Sequence, residues 1–168
     1  MTDQRGPTGY LRFTVTALVS PLVVPAAVFL AVGVASGMGV GGAVDAFVQQ
    51  SGERRQNPMV TGALGLFPVL LLGGGLAVGA RLSRRRGWVR PAAWSGLAAI
   101  LAVLGWANFE FWPDFLPERV YPGFPHGLEL VIAPVFFAPV AAAMAVFMAV
   151  MLSRRAETSE GGTASGAR

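Results

Sequence analysis

The chain has 168 residues, of which 54% are hydrophobic and only 13% are charged. This composition excludes an ordinary soluble domain, in which about 25% of residues are charged, and it also excludes a disordered chain. The sequence has no cysteine, which excludes disulfides, thiolate catalysis, cysteine-held zinc and iron–sulfur clusters. The net charge of +4 does not indicate nucleic-acid binding, because the arginines lie in short runs beside apolar segments, where membrane orientation explains them.

Four long apolar runs dominate the chain, at about residues 13–35, 58–80, 91–109 and 128–152. Each has the roughly 17–25 residues that a helix needs to cross the hydrocarbon core of a bilayer. We therefore predict an all-α integral membrane protein, a four-helix bundle with a proline- and aromatic-rich outer loop. Residues 1–10 are predicted to be a flexible N-terminus, 11–152 the transmembrane domain and 153–168 a disordered tail.

The first apolar run has one alternative, a cleaved signal peptide. Its length exceeds the usual 7–15 apolar residues, Pro21 and Pro25 interrupt it, and no clear A-x-A site follows. We therefore expect it to be a retained span. In the connector after it, residues 43–50 are predicted to form a short helix at the membrane interface, with Val44, Phe47 and Val48 facing lipid.

The connector between the second and third runs sets the predicted orientation, because it carries arginines and no acid. The positive-inside rule places it in the cytoplasm, and an even number of spans places both termini there too. We predict a multi-pass protein of the plasma membrane, and the exclusive use of arginine among the basic residues suggests a bacterial source. These arginines set the topology or also bind anionic lipid head groups, at about 1 kcal/mol per charge. They are Arg81, Arg84, Arg85, Arg86 and Arg90.

Small residues in the second and fourth runs are spaced for helix packing. Gly75 and Gly79 have the small-xxx-small spacing that lets helix backbones approach closely. We expect the second and fourth helices to pack closely. Pro134 and Pro139 are expected to bend the fourth helix. Its alanines are spaced to form a smooth face and are Ala138, Ala141, Ala142, Ala145 and Ala149.

The outer segment between the third and fourth runs holds most of the ionisable groups near the membrane, and four prolines stiffen it. Glu110, Asp114, His126 and Glu129 are the candidate catalytic or binding residues there. In the structural alternative, Glu129 stabilises the start of the fourth helix through the helix dipole, at about 0.3–1 kcal/mol, and the others face water. No cofactor is predicted, and a metal site has little support because the chain has one histidine.

The defining residues of three families of small four-span proteins are missing from this sequence. Small multidrug exporters carry an acid inside the first span, disulfide-forming quinone enzymes carry a cysteine pair, and b-type cytochromes carry a histidine pair. We therefore predict a non-enzymatic bundle that packs with itself or with a larger membrane complex. The alternatives are a permease or channel subunit, favoured by proline and glycine breaks, and an outer-face enzyme that uses the acid–histidine group.

Overall fold

A computed structural model describes residues 8–52, 57–83, 87–112 and 127–164 of the chain. These residues form helices and short connections, and no strand occurs among them. The elements are α1 (Thr8–Ala35), α2 (Val40–Gly52), α3 (Pro58–Leu64), α4 (Leu66–Leu82), α5 (Val89–Phe111), α6 (Glu129–Ile132), a π-helical turn (Ala133–Phe137) and α7 (Ala138–Ala164).

Within the described ranges, four helical segments are long and apolar enough to cross a membrane, which confirms the predicted all-α four-helix fold. The last helix continues through Ala164, past the predicted span end at Leu152 and into the segment predicted to be a disordered tail. The segments, named spans 1 to 4 below, are Gly9–Ala35, Met59–Leu82, Val89–Phe111 and Glu129–Arg155.

Span 3 is the central helix of the bundle, and it packs most extensively against span 4 and next against span 1. In its most apolar stretch, 44% is buried inside the described part of the chain, against 11% in that of span 4, so span 4 lies at the periphery of the described bundle. The buried face follows the helical repeat, because positions three and four apart lie on one side of a helix. The largest buried residues of this face are Leu97, Ile100, Leu104 and Phe111.

Gly96 brings spans 2 and 4 onto this central helix. A Cβ added there would lie 2.7 Å from Leu72 Cδ1 and 3.1 Å from Val146 Cγ2. In lipid, helices associate largely through close van der Waals packing, because the acyl chains are as apolar as the side chains. The missing side chain of Gly96 therefore provides the space in which side chains from both neighbouring spans meet span 3.

Span 2 crosses span 1 at Gly62 and Gly65. A Cβ added at Gly62 would lie 3.1 Å from Leu22 Cα and 3.3 Å from the Leu22 carbonyl oxygen. The Pro21 carbonyl, 3.4 Å from the same point, lacks its usual helical donor because Pro25 has no N–H. Gly65 lies between α3 and α4. The α-helix of span 2 is therefore interrupted at the residue where it contacts span 1.

Span 4 contains the π-helical turn near its N-terminal end, at Pro134 and before Pro139. We call the end of the bundle at which span 3 ends and span 4 begins the outer end, after the orientation that the sequence predicts. A π turn widens the helix by one residue, and it commonly appears as a single turn within an α-helix. Proline removes a backbone donor and its ring crowds the carbonyl four residues earlier. The two prolines predict an irregular fourth helix, and the π-helical turn is that irregularity.

The connector helix α2 confirms the helix predicted for residues 43–50 and extends it in both directions. Val44 and Val48 are exposed. Phe47 instead packs edge-on against Phe29 of span 1, with ring centroids 5.7 Å apart. The prediction that Phe47 faces lipid is therefore wrong, because an aromatic partner on span 1 takes up its ring.

Candidate functional site

The predicted outer acid–histidine group is only partly within the described residues. Glu110 is exposed near the end of span 3, and Glu129 is half-buried at the start of span 4. Asp114 and His126 lie outside the described residues. Within the described ranges, no three His, Cys, Asp or Glu side chains are grouped so that they could hold a metal ion. The gathering of the four residues into one site stays a prediction.

Glu129 has a structural contact at the start of its helix. Its Oε2 accepts a hydrogen bond from the Gly127 backbone N–H at 3.1 Å. Gly127 has a φ of 102°, a conformation that glycine adopts without the steric cost of a Cβ. The carboxylate thus binds a backbone N–H at the positive end of the helix dipole, which is the arrangement expected of an acid in a first helical turn.

A pocket of about 190 Å³ opens beside this helix start, between the outer ends of spans 2, 3 and 4. Its walls are mainly apolar, and neither Glu110 nor Glu129 lines it. Asn57, one of its polar residues, donates from Nδ2 to the Ser51 carbonyl and accepts at Oδ1 from the Met59 N–H, both at 2.8 Å. This amide caps α3, so its hydrogen-bonding groups already have partners within the chain.

The basic connector is described at its two ends. Arg81 and Arg90 are exposed, and Arg84, Arg85 and Arg86 lie outside the described residues. Between these ends, the Trp88 indole N–H donates to Ser83 Oγ at 3.3 Å, which holds the ring against the end of span 2. The binding of anionic lipid by these arginines stays a prediction.

Gly75 and Gly79, predicted as a packing pair, have different surroundings although they are one turn apart. A Cβ added at Gly79 would lie 2.8 Å from Trp88 Cη2, whereas a Cβ added at Gly75 would meet no atom within 4 Å. Gly79 therefore packs inside the chain, against a side chain of the following connector. Gly75 faces open space and makes no such contact with the other described residues.

The open space beside Gly75 is a groove of about 420 Å³ between spans 2 and 4. The two spans do contact each other, although less extensively than spans 3 and 4. Almost the whole lining is apolar, and three of its residues, Gly75, Ala142 and Ala143, are small. We call it the span 2–4 groove, and its residues include Pro68, Gly75, Trp88, Pro139, Ala142 and Ala143.

One buried polar pair was not singled out by the sequence analysis. Asn108 is 4% exposed. Its Nδ2 donates to the Leu104 carbonyl at 2.8 Å, and its Oδ1 accepts from the Trp112 indole N–H at 2.9 Å. The spacing of four residues on a helix is a signal that was present in the sequence, since such pairs lie on one face. Both groups are satisfied locally, so the pair serves the packing of the outer end.

Trp112 also contacts two aromatic rings. Its ring centroid is 5.1 Å from that of Phe29 and 4.8 Å from that of Phe111, both in edge-to-face arrangements. These rings and Leu130 form a second buried cluster at the outer end of the bundle.

No protein-family model, no curated protein and no solved structure matches the chain. The span 2–4 groove is the open feature that most needs a functional explanation.

Proposed function

We propose that this protein is a non-enzymatic membrane protein that packs through the span 2–4 groove with a transmembrane helix, either from a second copy or from a larger membrane complex. The observation that carries the proposal is the open small-residue wall of that groove. An added Cβ at Gly75 meets no atom within 4 Å in the part of the chain that the structure describes. Ala142 and Ala143 face the same space from span 4.

The groove combines small and exposed apolar residues, which favour helix association in lipid. Leu71 and Phe147, which are 51% and 58% exposed, line it together with the small residues. Small residues let a partner backbone approach closely, and this approach supplies the van der Waals contacts that hold membrane helices together. A partner helix that packs against Gly75 of span 2 and Ala143 of span 4 would therefore make van der Waals contacts with surfaces that spans 2 and 4 do not bury against each other.

The buried polar groups also favour a packing role. Among the described residues, Asn108 is the buried polar side chain, and both its donor and its acceptor are bonded within span 3. Polar groups that serve transport or catalysis inside a membrane normally face a cavity or pathway. Here the described polar side chain faces its own helix and an indole ring.

Two other candidates keep one supporting observation each. The interruptions of span 2 at Gly65 and of span 4 at the π-helical turn favour a permease or channel subunit, because broken helices often line transport sites. The acids at the outer ends favour an outer-face enzyme that uses Glu110, Asp114, His126 and Glu129. Ion or solute flux in vesicles that contain only this protein would support the first, and loss of a measured turnover in His126→Gln would support the second.

The proposed orientation places both termini in the cytoplasm of a plasma-membrane protein. Its support is the charge of the 81–90 connector, together with Arg154 and Arg155 at the same end of the bundle. Basic residues near span ends are retained on the cytoplasmic side. Reporter fusions after Ser36, Leu82 and the C-terminus are expected to report outside, inside and inside, and an outside C-terminus would refute this orientation.

The packing proposal is tested by Gly75→Ile, with Gly74→Ile as the matched control. Both glycines have open space around an added Cβ, but only Gly75 lines the groove. We expect Gly75→Ile to fill the groove and weaken association by about 1–2 kcal/mol, while the thermal stability of the single chain is unchanged. The measurement is native mass spectrometry of particles extracted with native lipid. Assembly of Gly75→Ile at the wild-type level, or a wild-type chain that is alone in its particle, would refute the proposal.

A further inference from the structure

We propose that α2 is an interfacial helix whose valine face, formed by Val40, Val44 and Val48, is inserted between lipid head groups and acyl chains. The membrane boundary in question is the one opposite the arginine-rich connector. The three valines are four residues apart, and their exposed fractions are 70%, 42% and 64%. Exposure of three β-branched apolar side chains in a row is costly in water and favourable in a lipid boundary.

The other two sides of α2 have different surroundings. Ala43 is fully buried against the bundle, and Phe47 packs on Phe29. Asp45 and Gln49, which are exposed and polar, lie on another side. With 3.6 residues per turn, the valine side lies about 80° from the bundle side and about 120° from the polar side, and the polar side lies about 160° from the bundle side. A helix that lies flat at a membrane surface beside a bundle meets protein, lipid and water in this arrangement.

Ring contacts fix the height of α2 along the bundle. The Phe47 ring contacts the Phe29 ring, and the ring centroids of Phe29 and Trp112 are 5.1 Å apart. These contacts hold α2 beside the outer end of span 3. Near that end, Trp106 is 52% exposed, as expected of an aromatic residue at a membrane boundary. Glu110, four residues further on, is also exposed, and its charge requires contact with water. The level of α2 is therefore the level at which span 3 leaves the bilayer.

The charge of α2 indicates which lipid head groups it can bind. Asp45 is its one charged residue, and it has no lysine or arginine. Basic amphipathic helices bind anionic lipids through their charge, and that attraction is missing here. The valine face is therefore expected to enter a zwitterionic phosphatidylcholine bilayer as readily as an anionic one.

Site-directed spin labelling tests this placement cleanly, because the chain has no cysteine. Val44→Cys is compared with Gln49→Cys, since both positions are exposed on the same helix. Each nitroxide-labelled protein is placed in phosphatidylcholine vesicles, and its relaxation is measured with oxygen and with a water-soluble nickel chelate. We expect a several-fold higher oxygen-to-nickel ratio at position 44, and Val48→Cys is expected to repeat that result.

Equal ratios at positions 44 and 49, or a higher ratio at 49, would overturn the proposal. A high ratio at 44 that appears only after phosphatidylglycerol is added would overturn the assignment to uncharged lipid. The single-chain fold of each labelled variant is checked by its thermal unfolding, which surface substitutions at exposed sites should leave near wild type. The result does not depend on whether the span 2–4 groove has a partner.

Discussion

Span 2 makes a closed contact on one side and leaves an open groove on the other, and glycine is present at both. At Gly62, an added Cβ would lie 3.1–3.4 Å from backbone atoms of span 1, whereas at Gly75 it would meet no atom within 4 Å. The first glycine allows two backbones of one chain to meet. The second would allow a backbone to approach in the same way, on a surface that no other described residue contacts. A glycine within a span thus indicates a close approach without showing whether the partner belongs to the same chain.

The largest effect is expected at the closed contact. Gly62→Leu must push against the backbone of Leu22, which cannot move aside as a side-chain tip can. Overpacking of this kind typically costs about 1–3 kcal/mol of unfolding free energy, and rigid backbone places this site at the upper end. Thermal unfolding in lipid nanodiscs measures the loss. Gly73→Leu, which points into open space, is the control, and equal stability of the two variants would show that spans 1 and 2 are not in contact at Gly62.

The next effect concerns the buried pair at the outer end. Asn108→Leu leaves the Trp112 indole N–H without its acceptor at a site where Trp112 is 1% exposed. An unpaired buried donor costs about 1–3 kcal/mol, and hydrogen bonds within membranes lie toward the lower end of that range. Asn108→Leu combined with Trp112→Phe is expected to lose less stability than the sum of the two single changes. Strict additivity would mean that the hydrogen bond contributes nothing.

A smaller effect separates the two glycines that share one motif. Gly79→Ala places a Cβ 2.8 Å from the Trp88 ring and should displace the indole from Ser83, with a loss of about 1 kcal/mol or less. Gly75→Ala should keep or slightly raise the stability of the single chain, because alanine favours a helix over glycine by about 0.5–1 kcal/mol. Chemical unfolding of the two variants side by side measures this difference. A larger loss for Gly75→Ala would contradict the open groove.

The smallest effect is expected at Glu129. Glu129→Gln keeps an oxygen that can accept from the Gly127 N–H but removes the negative charge at the helix start, at a cost of about 0.3–1 kcal/mol. If Glu129 instead lies in a crowd of acids with Glu110 and Asp114, removal of its charge would relieve repulsion and raise the unfolding temperature. The sign of the change therefore distinguishes a helix-capping carboxylate from a member of an acidic site.

The sequence was sufficient for the features that depend on one helix at a time. Length and apolar content predicted the four spans, because a bilayer imposes both on any spanning helix. Pro134 and Pro139 predicted an irregular fourth helix, because the missing donor acts within the same segment. The helix around Ala43 and Phe47 was also predicted, although the ring of Phe47 turned toward Phe29 rather than lipid.

Features that depend on two helices were not predictable in the same way. Gly62, Gly65 and Gly96 mark close approaches between spans, yet nothing in their local sequence separates them from Gly73 or Gly74, which face open space. Their roles depend on which backbone lies opposite. The Asn108–Trp112 pair could have been found from its spacing, but its burial depends on the packing of span 3 against its neighbours.

Photo-crosslinking in living cells tests the groove most directly. The photoreactive residue p-benzoylphenylalanine replaces Phe147, which lines the groove and is 58% exposed, or Phe137, which is 53% exposed on the same span outside the groove lining. At both sites the photoreactive residue replaces a phenylalanine, so the change in the side chain is the same. The proposal predicts that position 147 forms a cross-link to one protein, identified by mass spectrometry as a second copy or a single partner, while position 137 forms few protein cross-links. Cross-links to lipid alone at position 147, or equal protein cross-linking at both positions, would contradict a helix in the span 2–4 groove.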